Sequence, residues 1–158
     1  MSLAAYHPQP RAHGARLRTS ARNMLYGMVT AIVHGPINAE IGLLVNDHIV
    51  IDALISNASV EALGLRPGGR AVALIKSSLV TLVEDVPGLR LSARNLIGGT
   101  VVAVAQGPVE SEILLDIGGA AEIAAMVTTH SLREMNLYPG RTTLAAFKAS
   151  HVILAVED

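Results

Sequence analysis

Cysteine is missing from this 158-residue chain. Its absence removes a disulfide framework and any thiolate metal site, and it fits a reducing compartment such as the cytoplasm. Tryptophan is missing too, and the aromatic residues reduce to Tyr6, Tyr26, Tyr138 and Phe147. Single-stranded nucleic acids are held on aromatic stacking platforms, so this supply argues against direct nucleic-acid binding by the chain. An excess of positive charge is also lacking. Residues 1–19 hold Arg11, Arg16 and Arg18 and no acid, while residues 20–158 carry a formal charge of −4. A protein that captures polyanions by its overall field has the opposite balance. Any anion bound by the body must be held by local donors.

Long apolar runs are absent as well. The longest uncharged stretch, 23–39, is interrupted by Gly27, His34, Gly35, Pro36 and Asn38, too short and too broken to span a bilayer. The N-terminus lacks the apolar core of a secretory signal, so no membrane partner is expected. There is no nucleophile elbow, no phosphate-binding glycine loop and no metal-ligand pair at helical spacing. The chain is read as not an enzyme. The six histidines, His7, His13, His34, His48, His130 and His151, do not recur at equivalent positions, and they read as surface or tail residues.

What is present is a duplication. Ser20-Ala21-Arg22-Asn23 returns as Ser92-Ala93-Arg94-Asn95, and the shift of 72 positions then persists. Gly27 meets Gly99, Gly35-Pro36 meets Gly107-Pro108, Glu40-Ile41 meets Glu112-Ile113, Ser59 meets Ser131, Pro67-Gly68 meets Pro139-Gly140, and Lys76 meets Lys148. An internal repeat of this kind sets the organisation: one module over 19–85, a linker over 86–91 and a second module over 92–158. Residues 1–18, with Pro8, Pro10 and Gly14, read as a disordered tail or a linker from a longer protein. Modules this small bury only about 60% of their unfolded surface, so they gain from packing on each other and on further copies.

Each module reads as five short strands and one short helix. In the first, Asn23 to His34 is a strand with a bulge or close backbone approach at Gly27. Glu40 to Val45 and Ile49 to Ser56 follow, the latter with Ile49, Ile51, Ala53 and Ile55 inward. Asn57 is the expected N-cap of a helix over 58–63, with Gly64 as its left-handed C-cap. Asn136 holds the same position in the second module and tolerates the same conformation. Arg70 to Lys76 and Leu79 to Glu84 are expected to finish the module. In the second, Thr129 is the expected cap of a helix through Met135. The fold class is all-β, two tandem five-stranded barrels of the oligosaccharide/oligonucleotide-binding type, each with one short helix.

The recurring polar residues suggest what such modules could hold. Glu40 and Glu112 recur, and paired carboxylates can do acid/base work, but a strand-edge glutamate with a structural hydrogen bond is the favoured reading. A second set comprises Ser20, Arg22, Ser56, Ser59, Lys76 and Ser77, mirrored by Ser92, Arg94, Thr128, Ser131, Lys148 and Ala149. Hydroxyls, backbone N–H groups, a helix start and two cations are what a small oxyanion needs. The bland alternative stays beside it: serines at a helix start are commonly caps, and an arginine after a serine is commonly a solvated strand end.

Several motifs together resemble the Mop (molbindin-type) domain. They are Thr19-Ser20-Ala21-Arg22-Asn23, then Gly27, then Gly35-Pro36-Ile37-Asn38-Ala39-Glu40, then Ser59-Val60-Glu61-Ala62-Leu63-Gly64-Leu65-Arg66-Pro67-Gly68, and Ala73-Leu74-Ile75-Lys76-Ser77-Ser78. The resemblance extends over both modules. It implies tandem barrels, as in di-Mop molbindins and in the C-terminal half of molybdate-responsive transcription regulators. It further implies that molybdate, with tungstate as a substitute, binds at interfaces between modules or subunits of a homo-oligomer, a trimer or a dimer. In the resembled family the serine and arginine of the opening phrase hold the ligand with a hydroxyl pair at the helix start. A lysine and the following backbone N–H come from a neighbouring subunit. Those roles fall on Ser20, Arg22, Ser56, Ser59, Lys76 and Ser77, and in the second module on Ser92, Arg94, Thr128, Ser131, Lys148 and Ala149. The implied function is intracellular storage, buffering or homeostasis of molybdate. The alternative is the sensing half of a regulator whose DNA-binding domain lies outside this chain. The second copy departs more from the pattern: Asn38 becomes Glu110, Ala58 becomes His130 and Gly69-Arg70 becomes Arg141-Thr142. The first set is therefore expected to be the better one.

Overall fold

A computed structural model of the protein describes residues 17–157. The proposed tail lies outside them except for its last two residues. The described residues form ten strands in two five-stranded sheets, with two short α-helices. Strand β1 (Asn23–His34) is long enough to serve two neighbours. Its first half pairs with β4 (Arg70–Ile75), and its second half with β2 (Asn38–Leu44). The handover is made possible by Gly27, where a Cβ would run into the Leu44 carbonyl. The expected close approach is thus found there, while the register shift falls between Val29 and Ala31. Strand β3 (Val50–Ser56) completes the run with Ile51 and Ala53 fully buried and Val50 and Leu54 outside, as alternation requires.

Helix α1 (Asn57–Leu63) follows β3 without a break. Its cap is Ser56 and not Asn57: Ser56 has the extended backbone of a cap, φ −70° and ψ 150°, and its Oγ accepts the Ser59 N–H at 3.1 Å. Asn57 is otherwise engaged, donating to the Gly35 carbonyl at 2.9 Å and meeting the His34 ring at 2.8 Å. The same one-residue correction applies to α2 (Thr129–Glu134), which Thr128 caps. Thr129 is buried and bonds Ser111 and the Gly107 carbonyl. Gly64 at φ 62° and Asn136 at φ 53° both take the left-handed conformation that the repeat requires.

The second half repeats this with β6 (Asn95–Gln106), β7 (Glu110–Gly118), β8 (Ala121–Thr128) and β9 (Thr142–Phe147). The closing strands depart from expectation. Strand β5 (Thr81–Val83) does not finish its own module but pairs with β9, and β10 (Ile153–Ala155) pairs with β4. The sheet orders are β10-β4-β1-β2-β3 and β5-β9-β6-β7-β8. A 3-10 turn, Ser77–Leu79 in one half and Ala149–His151 in the other, carries the chain across. A three-residue strand has little partner preference of its own, because sheet pairing is decided by what it packs against. Each barrel therefore consists of four strands from one repeat and one from the other. The buried side chains of both halves join in one hydrophobic cluster, including Ile41, Leu43 and Ile75 with Ile113, Leu115 and Phe147.

Candidate functional site

The two halves meet through the opening phrases, and they do so reciprocally. Asn23 is buried, and its side chain reads one residue of the opposite half like a strand. Its Nδ2 donates to the Ala124 carbonyl at 2.9 Å, and its Oδ1 accepts the Ala124 N–H at 2.7 Å. Asn95 does the same to Asp52, at 2.9 and 2.8 Å. One step earlier in each phrase, Arg22 pairs with Glu112, and Arg94 donates through Nε to Glu40 at 3.0 Å. Every partner is the other's counterpart in the repeat, so the contact surface is self-complementary in the manner of a two-fold dimer. The recurrence of Glu40 and Glu112 is thereby explained, and the hydrogen-bonded reading of them holds.

Lysine joins this end of the molecule. Asn23 registers with Ile75 at the last β1–β4 pair, and Asn95 with Phe147 at the last β6–β9 pair. The residues just beyond, Arg22 with Lys76 and Arg94 with Lys148, therefore leave the same strand ends. The turn after Lys76 packs against β8, and the turn after Lys148 against β3. Ser77 is buried in that turn, whereas its counterpart Ala149 is only partly covered and has no hydroxyl. Ser20, Ser92, Lys76 and Lys148 are exposed.

The hydroxyl pairs are built elsewhere. Ser56 and Ser59 are joined at 2.9 Å between their Oγ atoms, and Thr128 and Ser131 at 2.9 Å in the same way. Ser56 registers with Asn38 beside the far end of β1, whereas Arg22 precedes its start. The pairs do act as helix caps, as the bland reading supposes. The structure thus groups the phrase with the lysine of its own repeat and sets the hydroxyl pair of that repeat at the opposite end of the strand.

One charged residue at these ends, Asp52, escaped the sequence reading. Asp52 lies 3.4 Å from Arg94 Nε, so Arg94 faces two carboxylates, Glu40 and Asp52, and the repeat position equivalent to Asp52 is Ala124. Burial raises the Asp52 carboxyl above its ordinary value of 3.8; Arg94 pulls it back and Glu40 pushes it up. The sequence signal was the exchange of Asp52 for Ala124, two positions after that of Val50 for Glu122, in equivalent strands. His151, read from the sequence as a surface or tail residue, is half-buried and ends the turn after Lys148, where the first repeat has Leu79. No cluster of His, Cys, Asp or Glu suited to a metal cation occurs among the described residues. None of their helices is long and apolar enough to cross a membrane.

Comparison with known proteins adds to this geometry. Residues 19–82 and 91–154 each match the TOBE domain. The chain is 43% identical over 140 residues to the molybdenum-pterin-binding protein MopA of Rhodobacter capsulatus, covering 89% of this chain and 53% of that one. It is 39% identical over 142 residues to the molybdenum transport protein ModE of Herbaspirillum seropedicae, with 90% and 53% covered. The chain thus spans about half the length of these relatives. Among solved structures, the cytoplasmic molybdate-binding protein ModG, in a form with molybdate bound, superposes with a TM-score of 0.86. It is 39% identical, and the match covers 89% of this chain and 100% of ModG.

Proposed function

The chain belongs to the TOBE-domain family, and on that premise we propose that it binds molybdate, with tungstate as a substitute, and holds it for storage or buffering without converting it. The observation that carries this reading is the match along nearly nine-tenths of the chain to a protein solved with molybdate bound. The chemistry of the ends supports it. A tetrahedral dianion accepts hydrogen bonds and offers none, so it is held by hydroxyls, N–H groups and cations. Ser20, Arg22, Lys76 and Ser77 supply these at one end; Ser92, Arg94, Lys148 and the Ala149 N–H supply them at the other. The hydroxyl pair of the same repeat stands at the far end of the strand, so the pair that completes each end, Ser56–Ser59 or Thr128–Ser131, comes from another repeat of the assembly. The first end also carries the Ser77 hydroxyl where the second has Ala149.

Calorimetric titration with molybdate, tungstate and sulfate tests the proposal. Saturable heat and a raised melting temperature with molybdate are expected; neither at millimolar ligand overturns it. Arg22→Ala with Lys76→Ala should lower the stoichiometry while the circular dichroism spectrum is unchanged, and an unchanged stoichiometry would place the anion elsewhere.

The match to ModE over about half of that protein favours a second reading, in which these barrels are the molybdate-sensing part of a longer regulator. A DNA-binding segment encoded upstream in the same reading frame would establish it in place of storage.

A further inference from the structure

The constant shift of 72 positions lets the outer faces of the two barrels be compared row by row. In the first half, Ala155, Val72 and Tyr26 stand side by side on β10, β4 and β1. In the second, Val83, Leu144 and Gly98 stand side by side on β5, β9 and β6. The next row on the same face has Arg70, Met28 and Leu44 in the first half, and Thr142, Thr100 and Asp116 in the second. Tyr26, Arg70, Met28 and Leu44 are thus all exchanged for smaller residues.

The exchange opens a cavity of about 400 Å³ on the second barrel, whose lining includes Gly98, Thr100, Thr142, Leu144, Asp116 and Asp85. Sites for small organic ligands run to roughly 300–1,000 Å³. Tyr26 shows what the equivalent space of the first barrel accommodates. Its side chain starts on β1, and its hydroxyl donates to Glu157 Oε1, beyond the end of β10, at 3.0 Å. Glu157 is the repeat counterpart of Asp85. The second half therefore keeps the acceptor and lacks the phenol. Two further exchanges set the charge. Asp116 replaces Leu44 and Thr142 replaces Arg70, so the lining carries two carboxylates and no cation among its described residues. Asp116 is held in place through Oδ1, which accepts the Gly118 N–H at 2.8 Å.

We propose that this cavity binds a small hydroxyaryl amine, an aromatic ring with a phenolic hydroxyl at one end and an ammonium group at the other. The ring takes the space over Gly98 that the Tyr26 side chain takes in the first half. Its hydroxyl donates to Asp85 as Tyr26 donates to Glu157. Its ammonium group pairs with Asp116, where the first half has Leu44. Ionised carboxylates accept hydrogen bonds and donate none, so they select a donor-rich cation against an aryl carboxylate. Hydrogen bonds of this charge-assisted kind are also the strong ones. The site stands apart from the anion-binding ends: it lies further along β6 than Asn95, and no arginine or lysine occurs among its described residues.

The test titrates the full chain with tyramine, phenethylamine and para-hydroxyphenylacetate and follows the backbone signals by NMR. Tyramine should shift Thr100, Thr142 and Leu144 saturably at millimolar concentration or below. Phenethylamine lacks the hydroxyl and should bind roughly tenfold more weakly, the factor expected for one hydrogen bond to a charged group. The carboxylate should not bind. Gly98→Tyr installs the residue of the first repeat and should abolish tyramine binding. A Cβ at Gly98 meets only Leu144 Cδ2, at 3.7 Å, so the fold tolerates the change. Asp85→Ala should bring tyramine down to the level of phenethylamine. Absence of saturable shifts at millimolar tyramine, shifts that persist in Gly98→Tyr, or equal binding of tyramine and either of the other two compounds would overturn the proposal.

Discussion

Arg22 and Glu112 form an ion pair between the two repeats, and Arg94 and Glu40 form its mirror image, yet the two pairs lie in different surroundings. The Arg22 and Glu112 side chains are 37% and 19% exposed, those of Arg94 and Glu40 64% and 41%. Exposed pairs contribute about 0.2–1 kcal/mol. A double-mutant cycle on Arg94 and Glu40 by urea denaturation should give a coupling in that range. The cycle on Arg22 and Glu112 should give a larger one. Equal couplings would mean that burial does not set their strength.

The asparagines beside these arginines should matter more. Asn23→Ala leaves the N–H and carbonyl of buried Ala124 without their partners. Buried polar groups left unpaired cost about 1–3 kcal/mol each. A loss of about 2–4 kcal/mol is expected from the denaturation midpoint. Asn95→Ala should cost less, because Asp52 is closer to solvent than Ala124. A loss below 0.5 kcal/mol in both, against the magnitudes just given, would show that water replaces the side chain.

Asp52 gives stability a pH dependence with a definite sign. Its carboxyl is raised above 3.8 in the folded protein, mainly by burial. The folded state therefore holds this proton more tightly than the unfolded chain does. The stabilisation is fully present below the unfolded value and is lost as pH rises through the folded one. Asp52→Asn should consequently be more stable than wild type at pH 7, with the advantage shrinking towards pH 4. An advantage that grows on acidification would reverse the assignment.

A fragment of residues 19–90 tests the exchange directly. It retains β5 but lacks β10, the strand that pairs with β4 in the intact chain. Light scattering is expected to show an exchanged dimer or larger species. A monodisperse monomer with native circular dichroism would show that β5 can fold back onto β4.

Much of this was legible in the residues. Ile51 and Ala53 faced inward by simple alternation, Gly27 marked a close approach, and Gly64 with Asn136 marked one left-handed position twice. The caps were misplaced by one residue because Asn57 and Thr129 are good capping residues by type, and only the structure shows their side chains committed to Gly35 and to Ser111 and Gly107. The partner of β5 was not legible, since three residues of alternating apolar character fit either β4 or β9. Nor was the role of Asn23 and Asn95: the repeat displays both letters, but reciprocity between halves is a relation in space. Grouping the candidate site had the same difficulty, because Lys76 comes to the same strand end as Arg22 through register and not through sequence distance.

The exchanged strands also bear on how the molecule comes apart. Two modules joined by a linker would melt as two units, each with its own midpoint. Here the loss of either barrel withdraws a strand from the other, and one buried cluster runs through both. Heat should therefore undo the duplicated chain in a single cooperative transition, with the calorimetric enthalpy of the whole and not of half. The gene duplication doubled the length of the chain and left it one thermodynamic unit.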